Sequence, residues 1–476
     1  MNEKKAIKSA SWYVISNLLI KALSFITAPI FMHILLPSEY GVVSNFFAWE
    51  AIIAVFVGLG IDYSIGRAKL DYEKEFDTYL SSVQLLCIFA VIIIATILML
   101  FKNRFTSISG ITQNLIIVLV LYSLTKSFIA FFQSKLRFEY KYKGNIIIAF
   151  YSIIATTVLS LVLLCFIKLE DKGLARIYGL AIPTICLGVF CFFIILRKGK
   201  KCMDIHIWKY ALTFSLPMIP HALSMIILEQ TDRIMIVKCI DLEAAGLYSF
   251  AYTFAMILSV VTNSIMNGWQ PWFFENLNNN NIESIDKSMK LLGTLLLFFL
   301  ATYLCIIPEF MRIMGRREFW NAKYATIPVI AGCAFQFLYN IFVQLELFNK
   351  KTFIIALGSV TTALINLLLN IIFIPKYGYI AAGYTTMGSY FLLMLYHFCI
   401  CKIYFKTKLF SLGLLLRIIL GVFGLVLLYL FLYKVNAIIR YTIGISVILL
   451  ICFLNRNLMR SLIILVKNKF SFNKIN

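Results

Sequence analysis

The chain has 476 residues, of which 61% are apolar and 14% charged. Soluble domains are about half apolar and about a quarter charged, so this composition excludes a soluble enzyme and describes a polytopic membrane protein. The net charge of +22, from 44 Lys and Arg against 22 Asp and Glu, is then the excess of cytoplasmic cations common to membrane proteins, and no nucleic-acid partner is implied.

A membrane span needs roughly 20 apolar residues. Taken in order, the sequence predicts fourteen: 10–36, 42–64, 79–101, 112–133, 145–167, 174–196, 211–237, 245–267, 289–308, 325–345, 353–374, 379–401, 411–433 and 438–454. The basic start Met1–Lys8 leads into an apolar run too long for a signal sequence, so span one is expected to be retained. With the N-terminus inside, 27 loop and tail cations fall on the cytoplasmic side and 12 on the other; Lys21, Lys126, Arg176, Arg233 and Arg417 lie within spans. That asymmetry places both termini in the cytoplasm.

The chain also repeats. Gly41-Val-Val-Ser44 with Phe47 recurs as Gly246-Leu-Tyr-Ser249 with Tyr252, and Gly173 recurs as Gly378; both pairs are 205 residues apart (246 minus 41, 378 minus 173). Six spans separate the copies, so they share one orientation, as in transporters whose site lies between two halves. The expected organisation is an all-α polytopic membrane protein. An N-terminal lobe covers residues 1–196 and spans one to six. A cytoplasmic linker occupies 197–210, and a C-terminal lobe covers 211–401 and spans seven to twelve. Spans thirteen and fourteen occupy 402–454, and 455–476 form an interfacial amphipathic tail. Between spans eight and nine, Asn276–Asn281 is expected to be a flexible loop. Trp269, Trp272, Phe273 and Phe274 just before it read as an aromatic belt. The longest outer loop is expected around Glu309–Ala325.

Ionisable side chains within spans are costly and face a bundle interior or a wet cavity. Lys21 sits at mid-depth in span one, with Asn17, Ser24 and Ala28 within about 60° of it on a helix. It either lines a cavity or snorkels to the interface. Glu50 in span two either pairs with Lys21 or Lys126 or carries a coupling proton. Lys126 in span four shares a face with Tyr122 and Ser123. In span seven, Pro217, His221, Ser224, Met225 and Asp232 project within an arc of about 100°, and Glu229 and Arg233 are spaced to pair. That helix reads as a cavity wall, with Asp232 and Arg233 alternatively a structural ion pair near its outer end. The substrate-binding set is therefore Lys21, Asn17, Lys126, His221 and Arg233. The ion-coupling candidates are Glu50, Glu229 and Asp232.

Of eleven cysteines, most lie in apolar runs as small hydrophobes, and no disulfide framework is indicated. His397 and Cys401 share a helix face while Cys399 points away, and no fourth ligand is near, so no zinc site follows. No P-loop pattern is found. No cofactor is implied beyond a coupling H+ or Na+.

Five stretches carry a family resemblance: I-L-L-P-S-E-Y-G (Ile34–Gly41), F-F-Q-S-K-L-R-F-E-Y-K-Y-K (Phe131–Lys143), the segment from L-P-M-I-P-H-A-L through D-R-I-M-I to G-L-Y-S-F-A-Y (Leu216–Tyr252), W-Q-P-W-F-F-E (Trp269–Glu275), and I-N-L-L-L-N-I-I-F-I-P-K-Y-G-Y-I-A-A-G (Ile365–Gly383). In this order they resemble the polysaccharide exporter family, the Wzx-type O-antigen and capsule repeat-unit flippases. Their superfamily also holds multidrug and toxin extruders and the lipid II flippase. The resemblance implies two six-helix lobes around a cavity and rocker-switch movement in the bacterial inner membrane. The implied cargo is a polyprenyl-diphosphate-linked oligosaccharide, with membrane lipid and the polymerase and chain-length machinery as further partners. Asp232 and Arg233 lie in a matching motif; Lys21, Glu50 and Lys126 do not. The rival readings are an extruder or a lipid II or teichoic-type flippase of the same fold, and an O-antigen polymerase or ligase.

Overall fold

A computed structural model describes residues 27–139, 141–166, 171–199, 203–407 and 409–456, with the side chain of His221 left aside. Lys21 and Asn17, the linker's centre and the tail beyond Arg456 lie outside the described residues. The described chain is all helical. In a hydrocarbon medium the backbone must satisfy its own hydrogen bonds, and an apolar run does so as a helix.

The helices are α1 Pro37–Gly58, α2 Asp62–Asp71, α3 Phe76–Leu100, α4 Lys102–Ser109, α5 Gln113–Phe138, α6 Tyr142–Cys165 and α7 Lys172–Lys198. They continue with α8 Ile205–Ser215, α9 Ile219–Cys239, α10 Leu242–Asn278, α11 Ile282–Met314, α12 Lys323–Phe348, α13 Thr352–Tyr377, α14 Tyr379–Cys399, α15 Leu412–Leu432 and α16 Ala437–Leu454. Twelve described segments are long and apolar enough to cross a membrane, and α8 with α9 makes a bent thirteenth. The expected first span falls mostly outside the described residues.

Short polar residues set the helix starts. Asp171 accepts from the Leu174 amide (3.2 Å), Asp204 from His206 (2.9 Å), Asp241 from Ala244 (2.7 Å), Ser411 from Leu414 (3.2 Å) and Asn436 from Ile439 (3.0 Å). Each satisfies an amide that a helix leaves open in its first turn. At α1 the same need is met from within: Glu39 accepts from the Leu36 amide at 2.7 Å, with Pro37 at the first helical position.

Several boundaries differ from the sequence expectation. Span two breaks after Gly58, where Leu59 and Gly60 adopt positive φ (50° and 63°), and resumes as α2. Span seven divides at Leu216–Met218, a 3-10 turn between α8 and α9; Pro217 and Pro220 remove amides and bend the run. The asparagine stretch is not a long loop. Helix α10 runs to Asn278, and the turn closes on itself, with Asn281 Nδ2 donating to Asn276 Oδ1 at 3.0 Å and Asn280 at φ 54°. Of the four aromatics expected in a belt, Trp269 and Phe273 turn into the packing. They stack at 4.5 Å, Phe273 is fully buried, and Trp269 Nε1 donates to Ser288 Oγ of α11 at 3.2 Å. The outer loop of 309–325 is mostly helix, α11 followed by a 3-10 turn over Arg317–Ala322.

The chain packs as two compact units. The first holds residues up to Ser249 with Met314–Glu318 and Asn370–Tyr379; the second holds Phe250–Ile313, Phe319–Leu369 and the chain from Ile380. The first unit's core joins Phe46, Val57, Tyr79, Val83, Leu119 and Phe131 from α1, α3 and α5. In the second, α12 is buried along most of its length, and Phe335 packs against Phe391 and Phe423.

The repeated glycines meet each other's helix inside the first unit. A Cβ on Gly41 would overlap the carbonyl oxygen of Leu242 and stand 2.7 Å from its carbon; a Cβ on Gly246 would do the same to Pro37, also at 2.7 Å from the carbon. Pro37 and Leu242 are themselves 205 residues apart (242 minus 37). The contact is thus reciprocal, as two copies of one motif facing each other require. Gly173 and Gly378 diverge: the first lies tight against Glu39, whereas the second takes φ 77° between α13 and α14, with open space around it.

Candidate functional site

In the first unit, α1 and α5 bring Glu50 and Lys126 together across 76 positions. Lys126 Nζ donates to both carboxylate oxygens, at 3.0 and 2.9 Å. Of the partners left open by the sequence, Lys126 is therefore one that Glu50 takes. The pair is asymmetric: the Glu50 side chain is 3% exposed and that of Lys126 is 47% exposed. The carboxylate anchors the base of the ammonium, and the ammonium keeps one donor and an open side for an anion. Tyr122, one turn earlier on α5, has its ring 5.5 Å from Nζ. Nearby in the fold, Arg176 of α7 donates to Ser160 Oγ at 2.5 Å, and its guanidinium lies 3.4 Å over the Phe31 ring. A half-buried arginine held by a hydroxyl and an aromatic face is a second cation with a fixed position.

On α9, Asp232 is completely buried. Its Oδ2 accepts from Tyr248 OH at 2.5 Å and its Oδ1 from Asn370 Nδ2 at 2.6 Å. The neighbouring Arg233 turns elsewhere, donating to the Glu229 carbonyl oxygen at 2.6 Å and to Gln230 Oε1 at 2.9 Å. Consecutive residues on a helix point about 100° apart, which is why Asp232 and Arg233 serve different networks. Glu229 and Arg233, spaced for a side-chain pair, are linked here through a backbone oxygen.

Replacement of Asp232 by alanine is expected to remove the carboxylate that accepts from the Tyr248 hydroxyl and the Asn370 amide, each hydrogen bond to a charged group being worth about 1.5–3 kcal/mol. Asp232→Asn should lose less, because a carbonyl oxygen remains. Thermal unfolding of the purified protein checks the order; equal melting temperatures for both variants and wild type would contradict it.

Lys21 and Asn17 lie outside the described residues, as does the side chain of His221. The structure therefore joins Glu50 with Lys126, and Asp232 with Tyr248 and Asn370. Three ionisable pairs were not anticipated. Lys135, counted in the sequence as a loop cation, is buried in α5 and bonded to Asp77 of α3. Arg440 of α16 is bonded to Glu309 of α11, whose second oxygen accepts from Tyr441 OH at 3.0 Å. His397 of α14 meets Glu346 of α12 at 2.8 Å. Outside the spans, burial alone would raise the Glu139 carboxyl, but Lys141 at 2.6 Å and Lys135 at 3.4 Å outweigh it and hold the group below the usual carboxylate range.

The lipid II flippase MurJ, in an inward closed conformation, has a similar structure, with a TM-score of 0.68 and 17% identity over 94% of this chain and 99% of its own. A multidrug resistance MATE family transporter of the MOP superfamily, inward-facing, is similar at a TM-score of 0.64 and 13% identity, covering 81% of this chain and 94% of that one. Fold and buried intramembrane charge together define the class: a multi-span helical membrane protein with a transporter fold. The sequence model of the family described as polysaccharide biosynthesis protein matches residues 6–277. That is more than half of the chain, and the chain belongs to this family. A relative in Methanocaldococcus jannaschii, an uncharacterized membrane protein, is 20% identical over 465 residues, 89% of each chain.

Proposed function

We propose that this protein is a flippase that moves polyprenyl-diphosphate-linked oligosaccharide repeat units across the bacterial inner membrane for surface polysaccharide synthesis. The observation that carries this reading is a polysaccharide biosynthesis family match on a transporter fold. The chemistry supports it. A diphosphate and its sugars cannot enter hydrocarbon without replacing their water contacts. A cavity with fixed cations, open sideways to lipid, supplies those contacts while the polyprenyl tail stays in the bilayer. No bond is made or broken, so the protein is not an enzyme. Lys126 and Arg233, with Lys21, Asn17 and His221, form the cargo-facing set. Glu50, Glu229 and Asp232 are the candidate sites for a coupling H+ or Na+. The two lobes, 1–196 and 211–401, rock about the 197–210 linker between inward-open and outward-open states, with both termini in the cytoplasm.

Deletion of the gene is expected to leave lipid-linked repeat units on the inner leaflet and to remove surface polysaccharide, read by lipid extraction and glycan blotting. The MATE-like fold favours a second reading, a drug or toxin extruder. A deletion strain with normal surface glycan and lost drug resistance would establish that reading instead.

A further inference from the structure

The second unit contains a buried acid–base pair that the proposed function leaves unused. Glu346 stands two residues before the end of α12, and His397 two before the end of α14. Glu346 Oε1 and His397 Nδ1 are 2.8 Å apart, and both side chains are 0% exposed. Each has a second polar atom, Glu346 Oε2 and His397 Nε2, that is buried without a hydrogen-bond partner among the described residues.

Among the described residues, no compensating charge is in contact with the pair. From α12, the Tyr339 ring lies parallel to the imidazole at 5.7 Å; from α14, Tyr396 meets it edge-on at 5.1 Å. Cys401 donates its thiol to the Phe342 carbonyl at 3.7 Å. Lys351 lies over the Tyr404 ring, and Lys402 bonds the Thr407 carbonyl at 3.1 Å. Helix α13 presents Gly358, where a Cβ would stand 3.2 Å from Nε2, so the imidazole lies against bare backbone.

Proton counting follows from this geometry. With one shared proton the pair is neutral overall, whether the charge is written as carboxylate and imidazolium or as acid and imidazole. Loss of that proton to water leaves a carboxylate beside a neutral imidazole. That net negative charge would be buried with one oxygen undonated, which a dry interior strongly disfavours. With both side chains 0% exposed, water reaches the pair only where α12 and α14 part. Stability alone does not account for such a pair, since buried ion pairs are often replaced by apolar groups without loss.

We infer that Glu346 and His397 bind one exchangeable proton whose release is linked to the parting of α12 from α14. The pair is distinct from Glu50, Glu229 and Asp232. Its place in a gradient-driven cycle rests on the transport reading, but the proton site is testable without cargo.

The experiment is hydrogen–deuterium exchange of the full-length protein in lipid nanodiscs across a pH series, comparing wild type with E346Q at each pH. Glutamine keeps the shape and a hydrogen bond but has no proton to lose. Wild-type peptides from the ends of α12 and α14 should lose protection relative to E346Q as pH rises, and H397Q should move that step to a different pH. Identical protection of wild type and E346Q at every pH overturns the proposal. If E346Q does not fold, a step left at the same pH by H397Q overturns it equally. Loss of surface glycan on deletion without a pH step would refute only the proton site; a pH step with normal glycan would refute only the cargo.

Discussion

Alanine at Gly246, or at Gly41, is expected to be the most damaging small substitution in the chain. The obstacle is backbone: the Pro37 carbonyl for Gly246 and the Leu242 carbonyl for Gly41, each with its carbon 2.7 Å from the new Cβ. Overpacking usually costs about 1–3 kcal/mol, with side chains moving to relieve it. A helix carbonyl has no such freedom, so α1 and α10 must separate and the upper end of that range is expected for either variant. Thermal unfolding of the purified protein gives the measurement. Gly424, inside α15 with open space around its Cβ position, is the control. Gly424→Ala should be neutral or slightly stabilising, since alanine is the better helix former by about 1 kcal/mol. Equal melting temperatures for G246A and G424A would remove the close contact.

The second large effect is expected at Lys126. Lys126→Ala leaves the Glu50 carboxylate, 3% exposed, without its ammonium. Breaking a fully buried pair costs about 3–5 kcal/mol. Because Lys126 is half exposed and screened by solvent, about 1–3 kcal/mol is the better expectation. The double variant Glu50→Gln with Lys126→Ala removes the stranded charge and should recover most of the stability. On the proposed reading it should not recover transport, because that reading makes Lys126 a cargo-facing cation and the variant still lacks it. One lost charge-assisted contact is worth about 1.5–3 kcal/mol, so surface polysaccharide output per unit of protein should fall about tenfold to a hundredfold. Full output from the stable double variant would take Lys126 out of the cargo-facing set.

Much of the architecture was legible because it depends on short-range features. Apolar runs of the right length became helices, and Asp171, Asp241, Ser411 and Asn436 began them where short polar residues usually do. The 205-residue spacing also held physical content: Gly41 and Gly246 carry the same constraint from opposite sides. Errors arose where two local signals competed. Asparagines outside an apolar run suggested a loop, but helix α10 runs on to Asn278 and only the last three, Asn279–Asn281, form a turn. Trp269, Trp272, Phe273 and Phe274 beside that run suggested an interface belt; Trp269 and Phe273 are buried against each other, with Trp269 hydrogen-bonded to Ser288 of α11.

The sequence by itself determined that this is a membrane protein of many helices, where most of them begin and end, and which family it resembles. Hydropathy acts within about 20 residues and a repeated glycine motif is an identity between two short stretches, so both can be read from a linear chain. Only the tertiary structure decided which charges meet. Glu50 finds Lys126 76 positions away, Asp232 finds Asn370 138 positions away, and Glu346 finds His397 51 positions away. In an apolar interior a charge must be met by whichever partner the packing brings close, and that partner is set by helix neighbours rather than by position along the chain.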